Sequence, residues 1–285
     1  MEKEIYGSVP VDLHNHSTLS HDGFDEPMKM AERAFGLGIK HFALTDHIEI
    51  EKFDKWDFAG AVARSHGVFL EIKERFEGKM NVYYGAELGQ ALYDPPLAEK
   101  ILAEQDYDFV LGSSHRTPSY PALNKVPDTD ADRKRCLDEY FESELAIAEW
   151  GKFCSLAHLT FPLRFLTVDI SRGAPVPNGD KPFREVDMTA YDKIIDKILE
   201  TIIRKDIALE VNSSGIRKGL GFPMPDAEYL RRYREKGGRL VTVGSDAHRA
   251  SDVGADIPQC LSMIRETGFS EICVFSRKEP RFIPI

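Results

Sequence analysis

Seven short apolar runs in this 285-residue chain end in residues that hold metals or move protons. They close on Asp12-Leu13-His14-Asn15-His16, Thr45-Asp46-His47, Gly85-Ala86-Glu87, Ser113-Ser114-His115, Leu156-Ala157-His158, Glu210-Val211-Asn212 and Gly244-Ser245-Asp246-Ala247-His248. Mixed imidazole and carboxylate donors suit zinc, iron or manganese, whereas carboxylates alone would suit magnesium or calcium. Residues two apart on a strand share a face, so His14 and His16 can hold one ion, and Asp246 with His248 repeats the spacing. The set exceeds the four ligands of one tetrahedral ion and predicts at least two ions. A lone histidine at a strand end is usually a hydrogen-bonded structural residue. The recurrence at strand end after strand end is what predicts chemistry. His41 opens an apolar run and His66 falls in mid-helix, so both read as structural or surface residues.

Something must bring these ends together. The predicted strands are Val11–His16, His41–His47, Asn81–Leu88, Asp108–His115, Phe153–His158, Ala208–Asn212 and Leu240–Asp246. Amphipathic helices are predicted over Pro27–Leu37, Trp56–Phe76, Pro96–Glu104, Asp130–Trp150, Met188–Arg204, Pro225–Lys236 and Ile257–Glu266. Several of these stop at glycine, as Pro27–Leu37 does at Gly36/Gly38. Regular alternation of strand and helix predicts an α/β fold with a parallel sheet and crossover helices. In a parallel barrel the C-terminal strand ends form one face, where active sites lie. An eighth apolar run, Ile272–Phe275, is expected to close or flank the sheet. The proline-bearing stretch 160–187 reads as a long functional loop, often a lid. No shift in composition marks a boundary, so residues 1–285 are expected to form one domain.

Composition narrows the partners. Asp plus Glu number 47 and Lys plus Arg 37, a net charge of −10. Such a chain is a poor general binder of nucleic acid. No run reaches the roughly 20 apolar residues of a bilayer span, and no apolar stretch after Met1-Glu2-Lys3-Glu4-Ile5 suggests a signal peptide. Cys136, Cys154, Cys260 and Cys273 show no CxxC spacing and read as buried free thiols of a cytoplasmic protein. The expected partner is a small molecule, with no nucleic acid and no membrane; composition leaves the oligomeric state open.

The motifs resemble those of the PHP (polymerase and histidinol phosphatase) family. The first motif is Asp12-Leu13-His14-Asn15-His16-Ser17-Thr18 with Ser20-His21-Asp22-Gly23. Thr45-Asp46-His47, Gly85-Ala86-Glu87, Gly112-Ser113-Ser114-His115 and Gly244-Ser245-Asp246-Ala247-His248 follow in the family's order. Leu209-Glu210-Val211-Asn212-Ser213-Ser214-Gly215-Ile216-Arg217-Lys218, Ser251-Asp252-Val253-Gly254 and the basic-aromatic tail through Pro280 resemble the histidinol-phosphatase branch. The resemblance implies a distorted (β/α)7 barrel and two or three divalent ions (Zn, Fe or Mn). It implies one ion on His14 and His16 with Glu87 and Asp246. Glu87 would bridge to a second ion on His115 and His158, and Asp22, His47 and His248 would hold a third. Asp22 stands eight residues after His14, where many members carry histidine, and His21 is its neighbour. Arg116 stands where related phosphatases often have an apolar residue.

The activity this implies is metal-dependent hydrolysis of a phosphomonoester, L-histidinol phosphate in histidine biosynthesis. Phosphoryl transfer is largely positioning and electrostatics, with cations making water nucleophilic near neutral pH. Asp246 and His248 are the candidate catalytic residues. Arg116, Arg164 and Arg217 each follow a strand end and are candidates to bind the phosphate through their forked donors; Arg249 is a weaker one. Competing readings are a phosphoesterase for another small ester, an amidohydrolase-type metal hydrolase that also opens on HxH, and a metal-stabilised module without catalysis. Asp246-Ala247-His248 in place of a lone terminal aspartate, together with Thr45-Asp46-His47, disfavours the amidohydrolase.

Overall fold

The computed structural model describes residues 11–166 and 186–285. Its main sheet runs β1 (Val11–Asp12), β2 (His41–Leu44), β4 (Asn81–Gly89), β5 (Phe109–Ser113), β6 (Ser155–Leu156), β7 (Ala208–Asn212) and β8 (Val241–Gly244), all parallel, while β3 (His47–Glu49) pairs with the far half of β4. Bonds from Leu13 N to Val243 O and from Asp246 N to His14 O join the last strand to the first. The sheet is thereby almost closed, a distorted barrel of the expected class.

The crossovers are α1 (Pro27–Gly36), α2 (Phe58–Arg75), α3 (Pro95–Glu104), α4 (Asp130–Trp150), α6 (Asp192–Arg204), α7 (Ala227–Glu235) and α8 (Ile257–Glu266), with a short α5 (Leu163–Leu166) after β6. Their burial follows sequence period. On α6, Ile195, Ile198, Leu199 and Ile202 fall at i, i+3, i+4 and i+7, and each is 0% exposed. Each such side chain contributes about 1.5–3 kcal/mol on burial. Capping begins α4 at Thr129, which accepts from Asp132 N, and Gly151 ends it in the left-handed region at φ 70.

The eighth apolar run lies in β9 (Glu271–Ser276), which forms an antiparallel hairpin with β10 (Glu279–Pro284). Cys273 Sγ donates to Val241 O, and Phe275 stacks on Phe109. The hairpin therefore covers the N-terminal ends of β5 and β8, opposite the converging C-terminal ends. All four cysteines are free and buried. No helix among the described residues is long and apolar enough to cross a membrane.

Two strand expectations need correction, and the expected functional loop lies mostly outside the described residues. The first strand ends at Asp12 rather than His16, because Asp246 adopts the left-handed region (φ 54) and breaks the ladder that would extend it. The run His41–His47 splits into β2 and β3 at Thr45-Asp46, where the Asp46 carboxylate accepts from Ser17 N and the hydroxyls of Ser17 and Ser20. The stretch 160–187 begins with the ordered α5, and its residues 167–185 lie outside the described ones.

Candidate metal centre

Glu87 is the hub of the strand ends. It projects from β4 at 1% exposure. Its Oε1 lies 3.0 Å from His115 Nε2 and 2.9 Å from His158 Nε2. Its Oε2 lies 3.2 Å from His14 Nε2, 3.5 Å from His16 Nε2 and 3.0 Å from His47 Nδ1. One carboxylate thus faces two histidine sets, one with each oxygen. Asp246 Oδ1 sits 3.4 Å from His16 Nε2 and 3.5 Å from His248 Nδ1. Asp22 Oδ2 sits 3.2 Å from His248 Nε2 and 3.6 Å from His47 Nε2. All nine ligand candidates, His14, His16, Asp22, His47, Glu87, His115, His158, Asp246 and His248, are brought together.

Backbone detail makes this convergence possible. Gly244 ends β8 against His14, and an added Cβ would lie 2.2 Å from His14 Cβ and 2.8 Å from Glu210 Oε1. Any side chain there would push His14 out of place. His158 (φ 26) and Asp246 (φ 54) both hold positive φ. Non-glycine residues there store of order 1–3 kcal/mol of strain, which the surrounding packing must offset.

The electrostatics suit cations. Burial alone would lower the His14 pKa, yet Glu210 and Glu87 together hold it well above the ordinary value. Burial likewise opposes His47, which Glu87 and Asp22 raise. His16 is lowered by burial and by the neighbouring His47 and His248. Burial would raise Glu87, Asp246 and Asp22, but the surrounding imidazoles hold all three below the usual carboxylate range. His14 Nε2, His16 Nε2 and Glu87 Oε2 are buried with no hydrogen-bond partner among the described residues. Buried polar atoms rarely go unsatisfied. Ligand atoms group within 4.8 Å as His14, His16 and Asp246, as Glu87, His115 and His158, as His16, His47 and His248, and as His47, Glu49 and His115. Donor chemistry, clustering and orphaned atoms all fit divalent cations.

Two carboxylates beyond the predicted set complete the geometry. Glu49 Oε1 lies 2.5 Å from His115 Nδ1, and Glu210 Oε1 lies 2.6 Å from His14 Nδ1. Each occupies the ring nitrogen facing away from Glu87. The signal for Glu49 is its place two residues after His47 on β3, hence on the same face. Glu210 lies in the middle of β7, two residues before its end at Asn212.

A cavity of about 240 Å³ opens over the cluster, lined in part by His21, Arg116, Phe161, Arg164 and Phe165. Arg164 Nη1 is 3.5 Å from Asp246 Oδ2, and its guanidinium lies 5.0 Å from the Phe161 ring centroid. Arg116 Nε is 2.6 Å from Glu51 Oε1. Arg217 sits behind Asp246, its Nη2 donating to the carbonyls of Ser245 (2.5 Å) and Asp246 (3.0 Å). Its Nη1 is buried with no partner among the described residues. His21 lies 3.8 Å from Asp22 and belongs to no ligand group. His41 contacts Tyr83 at the start of β2, and His66 is exposed on α2.

Comparison with known proteins gives the same picture. The PHP domain family matches residues 12–214. A probable histidinol-phosphatase of Thermotoga maritima is 29% identical over 276 residues, covering 94% of this chain and 97% of its own. A histidinol-phosphatase of Lactococcus lactis is 23% identical over 93% of this chain and 94% of its own. The crystal structure of the Lactococcus lactis histidinol phosphate phosphatase complexed with zinc, L-histidinol and phosphate superposes with a TM-score of 0.78 at 21% identity, over 95% of this chain and 98% of that one.

Proposed function

Because the chain belongs to the PHP family, we propose that it is a metal-dependent phosphomonoesterase that hydrolyses L-histidinol phosphate to histidinol and phosphate. The observation that carries this reading is the placement of Glu87, one oxygen toward His115 and His158, the other toward His14, His16 and His47, beneath a cavity that also holds Arg164. The names of the Thermotoga and Lactococcus relatives, and the histidinol and phosphate bound by the Lactococcus enzyme, support the choice of substrate.

Two or three divalent cations fit the donors, with zinc favoured by that relative and by the imidazole content. His14, His16, Glu87 and Asp246 would hold one, Glu87, His115 and His158 a second, and Asp22, His47 and His248 a third. When bound, these cations neutralise phosphoryl charge and make water nucleophilic near neutral pH. The protein's own groups do the rest. Arg164 presents a planar fork to phosphoryl oxygens beside Asp246, and Arg217 adds its buried Nη1. Asp246 and His248, in mutual contact at the rim, are placed to orient the attacking water, and Asp246, whose Oδ2 faces Arg164 and Ser214 rather than the histidines, to take its proton. Phe161 and Phe165 flank Arg164 and limit water around the phosphoryl group. The whole chain acts as one catalytic domain.

Steady-state rates of the zinc-, manganese- and iron-loaded protein across a panel of phosphate esters test this. The expected outcome is the highest kcat/KM on L-histidinol phosphate. A higher value on a sugar or nucleotide phosphate would overturn the substrate assignment, and no ester turnover with any metal would overturn the activity.

A further inference from the structure

The segment linking β3 to α2 supplies partners for two cavity residues that belong to none of the ligand groups. Glu51 Oε1 lies 2.6 Å from Arg116 Nε. Trp56 stacks on His21 with centroids 4.1 Å apart and planes inclined by 25°, and Lys52 Nζ sits 3.7 Å from the Trp56 centroid. His21 and Arg116 both line the cavity over the metal centre. They come from the loops after β1 and β5, on either side of that segment. Arg164, beside Asp246, comes from α5, after β6.

Arg164 and the cation cluster engage the phosphoryl end of an ester. His21 and Arg116 line the same cavity and are not among the groups assigned to the phosphoryl end, which leaves them to meet the ester's organic end. The ion pair with Glu51 holds Arg116 from its Nε side and leaves the two terminal nitrogens as donors in one plane. The His21 ring, braced by Trp56, offers a flat edge and face for a second ring. A planar heterocycle with an acceptor nitrogen satisfies both; an aliphatic polyol has no face to stack.

We propose that His21 and Arg116 form the leaving-group subsite and select esters whose alcohol carries a planar ring with a hydrogen-bond acceptor. Glu51 and Trp56 act through them as positioning residues. This inference rests on the phosphatase reading above.

The test compares kcat/KM on L-histidinol phosphate with that on glycerol phosphate, for the metal-loaded wild type, His21→Ala, His21→Phe and Arg116→Met. Metal content and thermal unfolding are measured alongside. The ratio of the two values should fall about fivefold or more in His21→Ala and in Arg116→Met, mainly through KM for the ring-bearing ester. His21→Phe, which keeps a planar face, should recover part of it. An unchanged ratio, or an equal loss on both esters, would overturn the subsite, the latter making Arg116 a phosphate contact instead. A wild type with no preference between the two esters would overturn the histidinol reading itself.

Discussion

Glu49 Oε1 and His115 Nδ1 lie 2.5 Å apart, with the carboxylate 2% exposed. This contact fixes which nitrogen of His115 remains for Glu87 and His158. Burial would lower the His115 pKa, but Glu49 and Glu87 push it up to about 10, and the same imidazole holds Glu49 down at about 2 against its own burial. Glu210 stands to His14 as Glu49 does to His115. A carboxylate behind a liganding imidazole sets its tautomer and strengthens it as a donor.

Glu49→Gln should therefore weaken metal retention by about 10–100-fold while leaving the fold in place. The amide cannot stabilise an electron-deficient imidazole as a carboxylate does. Competition against a graded series of chelators, with metal content read by atomic absorption, checks this. A chelator midpoint equal to the wild type would show that Glu49 only fills space.

His115→Ala removes one of the two imidazoles facing Glu87 Oε1. Several kcal/mol of transition-state stabilisation should go with it, a loss on the order of 1000-fold in kcat. The barrel should survive, because His115 lies beyond the end of β5 and outside the apolar core. Steady-state assays with far-ultraviolet circular dichroism separate the two effects. A folded variant with the wild-type rate would dissolve the site assignment.

Arg217 differs from Arg164 in what it touches. Its Nη2 holds the carbonyls of Ser245 and Asp246, where the Asp246 backbone is left-handed. Arg217→Ala should cost about 1.5–3 kcal/mol of stability through these charge-assisted bonds, as well as raising KM. Arg164→Ala should raise KM with a smaller change in the unfolding midpoint. Urea melts and kinetics on both variants decide the matter; equal destabilisation by the two would remove the bracing role.

Much of this centre is legible in the sequence, because parallel strands deliver their C-terminal residues to one rim. His14, His16, Glu87, His115, His158, Asp246 and His248 could be placed together on that ground alone. The supporting pairs are not legible in the same way. Glu49 meets His115 across 66 positions and Glu210 meets His14 across 196, and no local spacing encodes such contacts. The same holds for Glu51 with Arg116, whose approach depends on how the β3–α2 segment crosses the loop after β5. The apolar pattern overstates strand length where a polar contact outweighs it. Asp46 turns its carboxylate to Ser17 and Ser20 and so interrupts a run that otherwise reads as one strand.

Glu144 gives the last expectation, one of stability against pH. It lies on α4 at 0% exposure, beside Ser114 and Tyr140, one residue away along the chain from the metal centre's His115 in the case of Ser114. Burial raises its carboxyl from 4.5 to about 8, although Ser114, His115 and Tyr140 pull the other way. At neutral pH the folded protein thus keeps a proton that the unfolded chain has released. Between pH 4.5 and 8 the folded state binds more protons, so this group makes stability fall as pH rises across that window. Glu144→Gln preserves the shape of the neutral acid and removes the titration. It should stabilise the protein at pH 7 by on the order of 3 kcal/mol and flatten the slope between those two pH values. Urea unfolding at half-unit pH steps for both proteins measures the difference. Parallel curves would mean that Glu144 is ionised in the fold and compensated by its neighbours.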